Sequence, residues 1–265
     1  MSVLTILYHD VVDGDWDQSG FPGAPAARYK LQREEFARHL AAIAASAGVA
    51  AAVKAVSIDD AIAKPAPGQF LFTVDDGGSS TLHIADELEK RAWRGHFFIT
   101  TDRTGTPGFL TSAEIRELDR RGHVIGSHSC SHVAWMSELP EHRLFAEWSG
   151  SRARLGDITG HPVDVASVPG GYYAPRVAAA AARAGLRILF TSEPTVATIE
   201  IDGCTVLGRF TVYRGMTAVQ AARLVAGSHA ARSLQSAIWS AKKMAKTHAR
   251  PVWRTAHKLV YGRAR

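Results

Sequence analysis

Along most of the chain, short runs of β-branched and aliphatic residues alternate with longer stretches in which apolar positions recur every three or four residues. The runs at 3–8, 69–74, 96–100, 123–127, 163–168, 187–191 and 206–213 predict strands. The stretches at 33–46, 82–91, 112–121, 141–155, 175–184 and 217–226 predict helices. Thr111 and Glu114 place a hydroxyl before the third of these helices and a carboxylate in its first turn, a capping arrangement. Strands that alternate with helices pair in parallel and carry the helices outside, so the pattern predicts an α/β fold, either a barrel or a doubly wound sheet. In both, chemistry gathers at the carboxyl ends of the strands.

Three predicted strands run straight into ionisable residues. The first ends in Tyr8-His9-Asp10, where His9 reads either as a turn residue that caps the strand or as a catalytic group, and Asp10 as a turn residue. The second ends in Asp75-Asp76-Gly77-Gly78-Ser79-Ser80. This is equally good chemistry for a turn with a helix cap and for two carboxylates that a glycine bend aims apart, one at a metal and one at a nucleophile. The third ends on His128, with His132 four residues on. A turn between them can aim both imidazoles at one point, and imidazole with carboxylate is a donor set that suits Zn²⁺. Two histidines and one aspartate leave coordination positions open, as a catalytic site requires.

Composition narrows the picture. With 265 residues, 46% of them hydrophobic and 21% charged, the chain fits one large α/β domain. It has no apolar run long enough to span a bilayer, and its first residues lack the pattern of a secretion signal. Cys130 and Cys204 are too few for a disulfide framework, so a cytoplasmic setting with reduced thiols is expected. The net charge of +6 conceals a segregation: residues 203–265 hold twelve Lys and Arg and no Asp or Glu, leaving the rest of the chain at −6. Such asymmetry points to a partner that carries negative charge.

Thr73-Val74-Asp75-Asp76-Gly77 and His128-Ser129-Cys130-Ser131-His132, in this order and about fifty residues apart, resemble the T-F-D-D-G and H-[ST]-x-x-H motifs of the polysaccharide deacetylases, the NodB-homology carbohydrate esterases. Phe109-Leu110-Thr111 and the run from Gly122 to His128 resemble the family as well. The resemblance implies a distorted (β/α) barrel of the NodB-homology type over residues 1–226 and a metal-dependent hydrolase that removes acetyl groups from an N-acetylated amino sugar. It makes Asp75 the general base and Asp76, His128 and His132 the ligands of a divalent metal, Zn²⁺ by preference, with Co²⁺, Ni²⁺ or Fe²⁺ also accepted by such a set.

Two of the family's motifs depart. The third, Arg-x-Pro-Tyr-Gly, corresponds to Ser167-Val168-Pro169-Gly170-Gly171, which keeps the proline and a glycine but has no arginine. The Gly170 N–H remains available as an oxyanion donor. Arg209 is offered as the group that orients Asp75, with an ordinary exposed strand arginine as the alternative. The fifth motif, a late Leu-x-His that supplies the general acid, has no counterpart near the carboxyl end, whereas Leu7-Tyr8-His9 has its form. Because barrels are cyclic, a strand can pass from the end of the sequence to its start without moving in space, and His9 becomes the expected acid. Cys130 is expected to pack locally, and Trp135, Met136, Tyr172 and Tyr173 to belong either to the core or to a sugar subsite.

Beyond residue 226 the resemblance stops. In the tail, 227–265, Leu234, Ile238, Ala241 and Ala245 recur at helical spacing with Lys242, Lys243 and Lys246 off that stripe, and Trp239, Trp253 and Tyr261 accompany them. The segment from 232 to 265 reads as a basic amphipathic helix for an anionic membrane surface, or as a helix whose apolar stripe packs on the barrel. The first reading sets the protein at the inner face of the membrane, with a polyprenol-linked saccharide as substrate. No nucleic-acid partner is expected, since no binding motif accompanies the charge. Two other functions fit less of the pattern: hydrolysis of another C–N bond, such as a cyclic amide or ureide, and a non-catalytic barrel whose tail binds an anionic surface.

Overall fold

The computed structural model describes residues 2–46, 54–55, 57–64, 66, 68–171 and 173–248. Its strands are β1 (Thr5–Tyr8), β2 (Val11–Val12), β3 (Leu31–Gln32), β4 (Lys54–Ala55), β5 (Gln69–Val74), β6 (Gly95–Ile99), β7 (Val124–Ser127), β8 (Val165–Ser167), β9 (Ile188–Phe190), β10 (Thr198–Ile201), β11 (Cys204–Leu207) and β12 (Phe210–Thr211). The large sheet runs β10-β11-β9-β8-β7-β6-β5-β1-β12, parallel throughout except for the β10-β11 hairpin. It curls into a half-barrel, the distorted architecture that the resemblance implied, whereas the strand and helix pattern alone left a barrel and a doubly wound sheet open.

The helices are α1 (Ala24–Ala27), α2 (Arg33–Ala45), α3 (Ile58–Ala63), α4 (Thr81–Glu89), α5 (Ser112–Arg120), α6 (Glu141–Thr159), α7 (Pro175–Arg183), α8 (Ala218–Val225) and α9 (His229–His248). Apolar residues of the parallel strands point both ways, as expected of strands covered on two faces. Phe70, Phe72, Ile84, Leu88, Phe97, Ile115 and Leu118 join one buried cluster, and Trp148, Val177, Ala181 and Leu189 another. Helix α5 opens with the predicted capping box, Thr111 accepting from the Glu114 amide and Glu114 accepting from the Thr111 amide.

One expected strand, 206–213, divides in two. Its first part belongs to β11, which pairs with β9, and its second is β12, which pairs with β1 at the far edge of the sheet. Gly208 and Arg209 carry the chain across the open seam between those edges. The β10-β11 hairpin, on the exposed rim, had no apolar alternation strong enough to announce it: Ile199 is 52% exposed.

Helix α9 lies in the segment expected as a basic tail and closes the seam. The Gln235 side chain accepts from the Thr211 amide at 3.0 Å and donates to the Thr211 carbonyl at 2.9 Å, standing in for the missing neighbour of edge strand β12. Ser236 Oγ donates to the Pro194 carbonyl at 2.7 Å, and the Arg232 guanidinium covers the Phe210 ring. The expected stripe does not pack on the barrel: Leu234 is 63% exposed, Ile238 44%, and Ala241 is exposed too. The Ala245 side chain, Trp253 and Tyr261 lie outside the described residues, as does Tyr172.

Candidate metal centre and active site

Asp76, His128 and His132 each bring one ligand atom within 4.8 Å of the others. His128 Nε2 and His132 Nε2 lie 3.4 Å and 3.3 Å from the same oxygen, Asp76 Oδ1. The backbone is bent to achieve this, since Asp76, Ser129 and His132 all adopt positive φ, at 79°, 62° and 58°. Non-glycine residues hold such angles at a cost of about 1–3 kcal/mol each, and the cost is usually met where side chains must be aimed. Local hydrogen bonds fix the turn: Ser127 Oγ accepts from the Ser129 amide, Ser129 Oγ from the His132 amide, and Glu147 from both the amide and the hydroxyl of Ser131.

The donor set fits a divalent cation. His128 Nδ1 donates to the Ser167 carbonyl at 3.0 Å, which leaves Nε2 as the bare nitrogen facing the cluster. Burial would lower the His128 imidazole, but the Asp75 and Asp76 carboxylates raise it above its ordinary range. The cluster therefore attracts positive charge, a demand a metal ion meets as well as a proton does. Cys130 stands between the two histidines in sequence but turns its thiol to the Glu147 carbonyl, 3.4 Å away, and joins no metal-binding group among the described residues.

Asp75, next to Asp76, has a different partner. Arg209 crosses the seam fully buried, donating from Nη1 to Asp75 Oδ1 at 2.7 Å and from Nη2 to Oδ2 at 2.8 Å. Its remaining donors reach the Thr191 carbonyl, Ser167 Oγ and Thr73 Oγ1. The exposed alternative for Arg209 is thereby excluded. Ser167, which occupies the sequence position of the family motif's arginine, donates to Asp75 Oδ2 at 3.1 Å and accepts from Arg209. Burial pushes the Asp75 carboxyl up, yet the Arg209 guanidinium and His128 pull it below the usual carboxylate range.

His9 follows β1 as Asp75 follows β5, and the two strands are paired in register, Tyr8 opposite Val74. His9 is partly buried against the Tyr29 ring, and its Nδ1 has no hydrogen-bond partner among the described residues. Gly170 lies in the turn after β8 with φ 64°, where a Cβ would stand 2.8 Å from the Ala134 carbonyl. That turn therefore demands glycine. Met136 is a core residue, fully buried with Trp148 and Val177. Tyr173 is partly buried beside the same cluster.

Asp10 corrects the expectation of a turn residue. It is buried, accepting at Oδ1 from Ser19 Oγ at 2.6 Å and Ser80 Oγ at 2.9 Å, so that it ties the 13–23 loop to the Asp75-Ser80 turn. A Cβ on Gly78 would collide with its carboxylate. The buried ammonium of Lys30 donates to the carbonyls of Trp16, Ser19 and Phe21, and the Phe21 ring so held lies 4.5 Å from that of His132. No motif flagged Lys30 or Ser19, because their partners are backbone carbonyls and a residue from another loop. Burial, and then the Asp76 carboxylate, push Asp10 up to about 6 from 3.8. An acid raised on folding loses stability as pH climbs from the unfolded value to the folded one, here about 3 kcal/mol. Asp10→Asn lacks this titration, so urea unfolding between pH 4 and 7 should show wild type losing about that much relative to the variant. Parallel curves would show that Asp10 ionises freely.

Comparison with known proteins agrees with this geometry. Residues 63–189, which contain Asp75, Asp76, His128 and His132, match the polysaccharide deacetylase family profile. Over that span, just under half of the chain, the protein is similar to the polysaccharide deacetylase family. YxkH of Bacillus subtilis (strain 168), a polysaccharide deacetylase by name, is 26% identical over 155 residues. That alignment covers 58% of this chain and 55% of YxkH, so the chain spans about half the length of that curated relative. Among solved structures, a polysaccharide deacetylase from Bacillus cereus superposes with a TM-score of 0.70 at 18% identity, covering 85% of this chain and 69% of the other. Streptococcus pyogenes PplD, solved in complex with acetate, gives 0.67 at 16% identity, with 82% and 95% covered. IcaB from Ammonifex degensii gives 0.66 at 22% identity, with 84% and 97% covered. At these identities the structural matches speak for the fold.

Proposed function

We propose that the protein is a metal-dependent hydrolase that releases acetate from an N-acetylated amino sugar, in a glycan or on a lipid-linked saccharide. The observation that carries this reading is the placement of Asp75, clamped by Arg209, beside the Asp76, His128 and His132 cluster. Asp76 would serve as a ligand of the ion, while Arg209 keeps its neighbour Asp75 ionised. Asp76, His128 and His132 would hold the ion, with Zn²⁺ the preferred occupant of a two-histidine, one-carboxylate set. When bound, it supplies a Lewis acid that polarises the amide carbonyl and acidifies water.

The chain's own residues supply the rest. Asp75 accepts the proton of the attacking water, and the Arg209 fork holds its carboxylate in place, with Oδ2 3.8 Å from His128 Nε2. The Gly170 amide, in its rigid turn, is the donor proposed for the developing oxyanion. His9 delivers a proton to the departing amine, which an amide needs because its nitrogen is a poor leaving group. Two free thiols, one of them buried, support a reducing, cytoplasmic setting.

Metal analysis of the purified protein, combined with acetate release from a panel of N-acetyl amino sugars and their lipid-linked forms, tests the proposal. One ion per chain with acetate release is the expected result. Bound metal with no acetate from any sugar would redirect the activity to another C–N bond, and absence of both would leave a non-catalytic barrel.

A further inference from the structure

Helix α9 has two faces of different character. The face turned to the barrel is held by specific polar contacts: Gln235 on the Thr211 backbone, Ser236 on the Pro194 carbonyl, and Arg232 on the Leu224 carbonyl. Trp239 lies against Gly171, 3.2 Å from where a Cβ on that residue would sit. The opposite face presents Leu234 and Ile238, 63% and 44% exposed, and Ala237 and Ala241, also exposed, as one stripe. A helix that needed only to cover the seam would turn its leucine and isoleucine inward and its glutamine and serine outward. Here the arrangement is reversed, because the edge strand β12 requires a hydrogen-bonding partner and Gln235 supplies it.

The charge of this segment says what the stripe meets. Helix α9 contains Arg232, Lys242, Lys243 and Lys246 and no acidic residue, and the chain has no Asp or Glu after Asp202. The remainder of the protein is net negative. An aliphatic stripe with basic residues and no acids is the make-up of a helix that lies in a membrane interface, inserting its apolar side among acyl chains while its cations meet anionic headgroups. A nucleic acid would satisfy the charge but would leave exposed leucine and isoleucine without use, since bases are bound by aromatic stacking and hydrogen bonds. Among the described residues no helix is long and apolar enough to cross a membrane, so the mode is surface binding.

We propose that the outward face of α9 docks the protein on an anionic phospholipid surface. The docked helix borders the catalytic face: its inward residues touch Thr211, which pairs with Leu7 two residues before His9, and Gly171, next to Gly170. A bilayer against α9 therefore lies beside the rim of the site.

Co-sedimentation of the full-length protein with phosphatidylcholine vesicles and with vesicles of three parts phosphatidylcholine to one part phosphatidylglycerol tests this. The expected result is binding to the anionic vesicles, weaker by about tenfold or more on phosphatidylcholine alone. Leu234→Ser with Ile238→Ser should reduce anionic-vesicle binding by about tenfold or more at unchanged thermal unfolding temperature, because both side chains are exposed in the folded protein. Lys242→Gln with Lys243→Gln and Lys246→Gln should cut binding comparably. Equal binding to both vesicle types, or undiminished binding by the serine variant, would overturn the proposal. So would binding to duplex DNA, at the same salt, by a protein that ignores the vesicles.

Discussion

Arg209→Met should destabilise the protein by about 3–5 kcal/mol and abolish turnover, the cost known for leaving one member of a buried ion pair behind. Asp75 is almost fully buried and has two guanidinium hydrogen bonds to lose. Arg209 also ties Thr191, Thr73 and Ser167 together, so its removal orphans acceptors on three strand ends. Urea unfolding and acetate release from an N-acetyl amino sugar would measure the two effects. Arg209→Lys retains the charge but not the planar fork, so it should recover part of the stability and little of the activity. Asp75→Asn with Arg209→Met, which removes both charges, should unfold at a higher urea concentration than Arg209→Met alone and remain inactive. If the double variant were no more stable than the single one, the buried charge would not be the source of the loss. The sign of the pH dependence follows from the same pair: Asp75 is held below its ordinary range, so its contribution is present above that range and lost as falling pH protonates it.

The parts of this site that were legible in the sequence are those fixed by neighbours in the chain. Asp75 and Asp76 leave a buried strand together, and His128 and His132 share one turn, so the identity of the residues and their spacing contain most of the geometry. Helices α2 and α4 to α8 were legible for a similar reason: the periodicity that buries Ile115 and Leu118, or Val177 and Ala181, is written within a few turns of chain, whereas the short α1 and α3 carried too few turns to show it. Arg209 is different. It stands 134 residues from Asp75, and nothing local tells a strand arginine that crosses a seam from one that faces water. The arginine missing at Ser167, the end of β8, has a counterpart in Arg209 at the crossing from β11 to β12, which donates to the Ser167 hydroxyl as well as to Asp75. Asp10 was misjudged for the complementary reason. Its polarity fits a turn, and only the arrival of Ser19 and Ser80 from two other loops converts it into a buried junction. Helix α9 shows the limit of periodicity itself: Leu234, Ile238 and Ala241 lie on a helix but face outward, because an unpaired strand edge outweighed them in deciding which face turns inward.

His9→Ala should lower kcat for an N-acetyl amino sugar by about 10²- to 10⁴-fold while leaving metal stoichiometry and unfolding midpoint unchanged. The residue is outside the ligand cluster, and its Nδ1 anchors no other group among the described residues, so a structural role predicts little loss of any kind. A role in protonating the amine predicts a loss that depends on the leaving group. Burial lowers the His9 imidazole, against the opposing pull of the Asp76 and Asp75 carboxylates, so the resting ring is neutral and must first receive a proton, from solvent or the one Asp75 takes from the attacking water, before it passes it to the amine. An acetyl ester of a nitrophenol departs as a stable anion and needs no such proton. The variant should therefore hydrolyse that ester within a few fold of wild type while failing on the amide. Equal losses on ester and amide would assign His9 to substrate placement, and an unchanged rate on both would remove it from the chemistry. Asp75→Asn, assayed in parallel, should lose both activities, because the attacking water must be deprotonated whichever group departs.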